Sequence, residues 1–145
     1  KKPDSYKNIH IIRARGKATI ISLIKILNHF GGNYSVLHDS DKPLNNNGKR
    51  NSAWSLNEQI KNESKKIEKG YTNRILASIP NFEEAYFTKT VNVEKPYTAL
   101  TKMEKDEELF TTIENILIAL LEYDKPTPNN CIEYVDNSEL ESKVT

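Results

Sequence analysis

Tyr34-Ser-Val-Leu-His-Asp-Ser-Asp-Lys-Pro43 joins a short apolar run to two acids and a proline-closed turn. Tyr34 to His38 has the composition of a buried strand, and the Asn- and Gly-rich segment after Asp41 reads as a loop. Upstream, Ile20, Leu23, Ile24, Leu27 and Phe30 recur three or four residues apart, the spacing that gathers them on one face of a helix from Ala18 to Phe30. Gly31-Gly32 ends that helix at low conformational cost. Asn8 to Arg15 is rich in β-branched residues and stops at Gly16, so it is expected to form a first strand. A strand, a helix and a second strand in that order form a βαβ unit with parallel pairing. The expected class is α/β, a mainly parallel sheet flanked by helices.

Beyond the loop, Ala53 to Lys69 reads as a charged helix whose apolar contacts are Trp54, Ile60 and Ile67. Arg74 to Ile79 reads as a third strand, closed by Pro80, with a short helix from about Asn81 to Phe87. A further helix is expected through Ala99 and Met103. From Asp106 to Tyr123 the residues Leu109, Ile113, Ile116, Leu117 and Leu120 form one apolar stripe, and the acids Asp106 to Glu108 suit its first turn. The stripe serves a core or a subunit contact. Pro126 and Pro128 stop the helix, and the polar tail from Asn129 onward is expected to be loosely ordered. The organisation is thus a core over residues 1–104 and a C-terminal helix with its tail over residues 105–145.

At 145 residues, with 21 Lys and Arg against 20 Asp and Glu, the chain fits one domain and carries no overall field for nucleic acid. Any such contact must be a local patch. The lone Cys131 allows no internal disulfide, and no apolar run approaches the roughly 20 residues that span a bilayer. The N-terminal Lys-Lys-Pro-Asp-Ser-Tyr does not read as a signal peptide, having no following run of small and apolar residues. The expectation is a soluble protein of the reducing cytoplasm, without membrane contact.

Asp39 and Asp41 carry the first chemical possibility. Residues two apart on a strand share a face, and ligands of open α/β sheets gather at the carboxyl ends of the strands. Two hard oxygen ligands there suit Mg2+ or Mn2+. The competing role is capping the following turn, a common use of Asp. Glu83 and Glu84 follow the third strand and are placed either to complete a carboxylate cluster or to serve as first-turn acids of a helix. Lys95, before Pro96, is either a cation beside a scissile phosphate or a solvated lysine. Gly16-Lys17 lies at a strand-to-helix turn suited to holding a phosphate, but it lacks the glycine spacing and the Lys-Ser or Lys-Thr of a P-loop, so no ATP site is expected here. His10, His29 and His38 share no metal-ligand spacing and read as structural or surface residues. Lys42, Lys49 and Arg50 offer loop cations for a phosphate backbone. A receiver-like domain would need an Asp at the end of the third strand, where Ser78-Ile79-Pro80 stands instead.

In order, Arg15-Gly16-Lys17, the helix to Gly31-Gly32, Val36-Leu37-His38-Asp39-Ser40-Asp41, Pro80-Asn81-Phe82-Glu83 and Lys95-Pro96 resemble the later part of a Toprim domain. The particular likeness is to the OLD (overcoming lysogenisation defect) family of ATP-dependent endonucleases, over roughly residues 8–103. The resemblance implies a Toprim-like fold and a DNA endonuclease using two Mg2+ or Mn2+ ions. Asp39, Asp41 and Glu83 would be metal ligands, and Lys95, with Glu83, would serve catalysis. It implies ATP only at an upstream ATPase domain, a homo-oligomer formed through the full-length protein, and a place in antiphage defence, in some cases beside an operon or retron partner. The alternative is a non-catalytic assembly or nucleic-acid-binding module. Toprim domains open with a strand ending Glu-Gly that is not seen before Asn8. The chain is therefore expected to be a fragment whose first acid lies upstream.

Overall fold

The structure, a computed structural model, describes residues 8–87 and 95–144, apart from the side chains of residues 95–98. The elements in chain order are α1 (Lys17–Phe30), β1 (Tyr34–Asp39), α2 (Ser52–Ser64), β2 (Asn73–Ser78), α3 (Phe82–Tyr86), α4 (Lys95–Met103), α5 (Glu107–Leu121), β3 (Cys131–Glu133) and α6 (Asn137–Val144).

β1 and β2 pair in parallel, from Tyr34 opposite Asn73 to Asp39 opposite Ser78. α2 is the crossover between them, so the βαβ unit lies one strand later than the sequence suggests. The expected strand at Asn8 to Arg15 is not formed: these residues join no sheet, and Ile11 and Ile12 are 90 % and 61 % exposed. β-branched composition favours a strand only where another strand supplies hydrogen bonds and a face to pack on, and this segment has neither.

The expected loose tail is likewise corrected. β3 pairs antiparallel with β2, setting Ser78 opposite Cys131 and Leu76 opposite Glu133, so the sheet is mixed, in the order β1-β2-β3. Ile132 and Cys131 point to opposite faces, as alternation requires, and each joins a different side of the core. Tyr134 and Leu140 are fully buried.

Helices cover both faces. On one, Ile24 of α1, Trp54 and Ile60 of α2, and Leu140 of α6 pack with Tyr34, Ile75, Ala77 and Tyr134. On the other, Ala119 and Leu120 of α5 and Tyr86 of α3 meet Leu37, Leu76 and Cys131. β2, buried along Arg74 to Ser78, is the centre of the sandwich. α2 ends at Ser64 rather than Lys69. The α5 stripe runs through Leu109, Ile116 and Ala119, leaving Leu117 half exposed. Burial drives the Cys131 thiol up to about 11, which suits an inert core residue.

A buried arginine ties α5 to the sheet. Arg74 Nη1 donates to the carbonyl oxygens of Ala119 (2.7 Å) and Lys125 (2.9 Å), and Nε donates to Glu133 (2.9 Å). These carbonyls lie at and beyond the last turn of α5, where the helix offers no amide partner. Glu133 is partly solvated, so the ion pair itself adds little and the carbonyl contacts dominate. Arg74→Met is expected to cost about 2 kcal/mol, from carbonyls buried without donors. Arg74→Lys should recover only part of this, because an ammonium lacks the guanidinium fork. Urea midpoints of the two variants check both statements. A wild-type midpoint for Arg74→Met would show that these bonds contribute nothing.

Candidate functional site at the carboxyl ends of the parallel strands

Asp39 is the last residue of β1 and faces α3. Its Oδ1 accepts the backbone N–H of Phe82 at 2.8 Å, an amide of the first turn with no helical acceptor. The capping role weighed for this acid is thus present, through the turn that follows β2 rather than its own loop. Asn81 caps the same helix, accepting from Glu84 N at 2.9 Å and donating to Glu84 Oε1 at 2.8 Å, which turns Glu84 toward Asn81. Glu83 lies within electrostatic reach of Asp39. Burial raises the Asp39 pKa, the Phe82 amide opposes the rise, and the charges of Glu83 and Asp41 add to it. A half-buried carboxylate held among other acids is one that a cation would stabilise.

The extended conformation does not continue to Asp41. Its φ is 61°, a left-handed turn that Asp tolerates better than most residues. Its backbone N–H donates to Pro80 O at 2.7 Å. Its carboxylate is carried to the α1 and α2 side, where Oδ2 meets Lys17 Nζ at 2.5 Å. The two acids therefore do not share one face as strand spacing predicts, although each still feels the other's charge.

Lys17, at a turn suited by sequence to holding a phosphate, is turned inward instead. It is 8 % exposed, and Nζ reaches Ser40 O (3.2 Å), Ala53 O (3.1 Å) and Asn57 Oδ1 (2.6 Å) as well as Asp41. Burial lowers its pKa, and the bond to Asp41 with the charges of Asp41 and Asp39 opposes the fall. Asn57 Nδ2 in turn donates to Ser40 O at 2.7 Å. The turn after β1 is thereby fixed to both helices. Behind it, Tyr134 Oη contacts His38 Nε2 (3.0 Å) and Asn57 O (3.1 Å), while His38 Nδ1 meets Asp39 O at 2.7 Å. Desolvation pushes the His38 imidazole down to about 4. His38 is a core residue, as expected, while His10 and His29 are exposed.

Asn57 was open to detection in the sequence. It stands midway between Trp54 and Ile60, on the apolar face of α2, where a polar side chain must find a partner. Ser78 carried no such signal. It is fully buried at the end of β2, with the hydroxyl of Tyr86 close to its own. Lys95 opens α4, but its side chain lies outside the described residues. Lys42, Lys49 and Arg50 are exposed on the loop beyond Asp41.

Among the described residues, no three acidic, His or Cys side chains form a complete metal cluster. The donor chemistry nonetheless suits a hard divalent ion. Asp39 and Glu83 provide carboxylate oxygens whose charges act on one another, and Mg2+ completes its shell with water.

The fold and this end of it define an α/β domain with an acidic edge at the carboxyl ends of two parallel strands. The family model described as Overcoming lysogenization defect protein-like, TOPRIM domain matches residues 1–41, which bears out the resemblance over that part of the chain and reaches Asp39 and Asp41. Toprim domains are often metal-dependent nucleases or primases and typically bind Mg2+, so the match points to nucleic-acid metabolism. Comparison with curated proteins and with solved structures gives no match. No helix among the described residues is long and apolar enough to cross a membrane.

Proposed function

We propose that this chain contributes the acidic half of a divalent-metal site for phosphodiester hydrolysis, as the DNA endonuclease module of an OLD-type ATPase-nuclease with a role in antiphage defence. The observation that carries the reading is Asp39. It closes the strand at the end of the family match, and both its burial and the charge of Glu83 favour a bound cation. In this reading Asp39 and Glu83 hold Mg2+ or Mn2+. Asp41 secures the turn through Lys17 and joins as a ligand if that pair opens. The ion supplies Lewis acidity and an activated water. The chain's own part is to fix Asp39 through the Phe82 amide and to offer Lys42, Lys49 and Arg50 to the phosphate backbone. Lys95 is assigned the charge-offsetting role near the scissile phosphate on the resemblance alone. ATP belongs to an upstream domain, and a homo-oligomer and an operon or retron partner belong to the full-length protein.

The commitment of Asp41 to Lys17 favours a second reading, a non-catalytic module that binds nucleic acid or assembles. Cleavage assays separate the two. Full-length protein with Mg2+ or Mn2+ is expected to cut DNA, and Asp39→Asn to lower the rate at least about 100-fold, equivalent to roughly 2.7 kcal/mol, while leaving DNA binding in place. Metal-dependent cutting that survives Asp39→Asn unchanged removes the site assignment. DNA binding without cutting by either protein supports the second reading.

A further inference from the structure

Lys42-Pro-Leu-Asn-Asn-Asn-Gly-Lys-Arg-Asn51 links Asp41 to α2 with three cations and no acid, in a chain whose charges otherwise nearly balance. It is a built hairpin rather than a loose loop. Asn45 N donates to Lys49 O and Asn51 N to Pro43 O, both at 2.8 Å, which sets Leu44 opposite Arg50 in an antiparallel bridge. At the tip, Gly48 N donates to Asn45 O at 2.9 Å, and the Asn45 side chain accepts from Asn47 N and Lys49 N, each at 3.0 Å. Gly48, with a φ of 70°, takes the left-handed position that closes the turn. Both ends are anchored, Asp41 to Lys17 and Pro80, and Asn51 as the cap of α2. The hairpin is therefore held at the end of β1 that carries Asp39.

The bridge is flanked by its two hydrogen bonds rather than joined by them, the pairing that brings opposite side chains closest and onto one face. Leu44 and Arg50 thus share a face, and both are exposed, Leu44 at 57 %. A single exposed leucine is ordinary. A leucine held beside a guanidinium on a basic ribbon, next to an acidic site, is a narrower combination. Among the described residues no carboxylate pairs with Lys42, Lys49 or Arg50, so their charge is open to an anionic partner. Single-stranded nucleic acid is bound on aromatic platforms, and this segment has no aromatic residue. A two-stranded ribbon fits the major groove of B-form DNA, about 12 Å wide, and not the minor groove of about 6 Å. The major groove of duplex RNA is too deep and narrow to be read this way.

We propose that this hairpin enters the major groove of duplex DNA, where Arg50 reaches a guanine edge with Leu44 packed beside it on the bases, while Lys42 and Lys49 hold the flanking phosphates. The inference rests on the nucleic-acid part of the reading above and deepens it. It names duplex DNA as the substrate class and Arg50 as the residue that goes past the backbone to the bases. Arginine meets guanine O6 and N7 through two donors, and apolar side chains contact the thymine methyl group. Phosphate contacts fix position and carry no sequence information, so the Leu44 and Arg50 face is where any sequence preference resides.

The test is fluorescence anisotropy of the full chain, with EDTA present and salt fixed, on a labelled mixed-sequence DNA duplex, on the same duplex with 7-deazaguanine or 3-deazaadenine throughout, and on the matching RNA duplex. The first substitution removes an acceptor from the major groove and the second removes one from the minor groove. Wild type is expected to bind the deazaguanine duplex and the RNA duplex about tenfold more weakly than unmodified DNA, and to be indifferent to deazaadenine. Arg50→Ala should lose about tenfold on DNA and no longer sense deazaguanine, whereas Lys49→Ala should weaken binding to every duplex alike and keep that sensitivity. Leu44→Ser should weaken DNA binding without changing its salt dependence, since no charge is lost. All three side chains are exposed, so the variants keep the fold. The proposal is overturned if wild type binds no DNA duplex, binds the RNA or deazaguanine duplex as tightly as unmodified DNA, or is weakened by deazaadenine instead. It is equally overturned if Arg50→Ala still senses deazaguanine. With no divalent ion present the metal site takes no part. Failure here therefore leaves the Asp39 reading standing, and failure of metal-dependent cleavage leaves the role of the hairpin standing.

Discussion

Cutting the chain after Pro128 is expected to abolish cooperative unfolding altogether. The removed residues look dispensable by composition, but they hold Tyr134 and Leu140, both with no exposed surface, together with Cys131 at 7 % exposure. Losing a large buried side chain costs about 2–5 kcal/mol each, and a domain of this size has only about 5–15 kcal/mol in total. The polar losses compound this. Without Tyr134, His38 Nε2 is left unpartnered in the interior and Asn57 O loses the donor it has besides its own helix, and without β3 the second edge of β2 opens. Ile79 N also loses Asn130 O. Urea titration followed by near-ultraviolet circular dichroism should show no sigmoidal transition for the shortened chain. A transition at the wild-type midpoint would mean that β3 and α6 lie outside the cooperative unit.

That tail shows what the sequence could and could not reveal. α1, β1, α2 and β2 were legible because each carries a local pattern: Ile20, Ile24 and Leu27 at helical spacing, and a buried strand rich in Val36 and Leu37 or in Ile75 and Leu76. β3 spans three residues, too short for alternation to be recognised among Asn129, Asn130, Glu133 and Asp136. Its strand character comes from the edge of β2, which only the folded sheet provides. The segment from Asn8 to Arg15 fails in the opposite direction. Ile9, Ile11 and Ile12 have strand propensity, but among the described residues no strand lies alongside to use it.

The site was legible in its residues and not in its geometry. Asp39 was marked by its place at a strand end. The positive φ of Asp41 depends on Pro80 O, Lys17 and Asn57, through contacts between 17 and 40 positions apart in the chain. A two-residue spacing cannot encode them. Glu83 and Lys95 lie beyond the family match, which ends at residue 41, so their proposed roles rest on the resemblance and, for Glu83, on its charge beside Asp39.

Lys17→Met is expected to destabilise the protein by about 3 kcal/mol, the scale for removing one member of a buried, hydrogen-bonded charge pair. Its ammonium has three protons and faces Ser40 O, Asp41 Oδ2, Ala53 O and Asn57 Oδ1. Methionine fills much the same volume and satisfies none of them. Ser40 O keeps the Asn57 amide, and Asp41, at 32 % exposure, can recover some hydration. The heaviest loss thus falls on Asn57 Oδ1, inside a fully buried residue. A cycle with Asn57→Leu isolates that loss: once the amide is gone, Lys17→Met should cost less than it does alone, a coupling of about 1 kcal/mol or more for groups in direct contact. Strict additivity in urea unfolding would show that the lysine does not act through Asn57. The same variant informs the site, because Lys17 is what draws the carboxylate of Asp41 away from Asp39. With the lysine gone, Asp41 is released toward the strand ends, and Mn2+ should bind Lys17→Met more tightly than wild type when both are compared below their unfolding transitions. Weaker binding would mean that the Lys17 contact holds the turn in the form the cation needs, and that the burial of this lysine serves the site rather than only the fold.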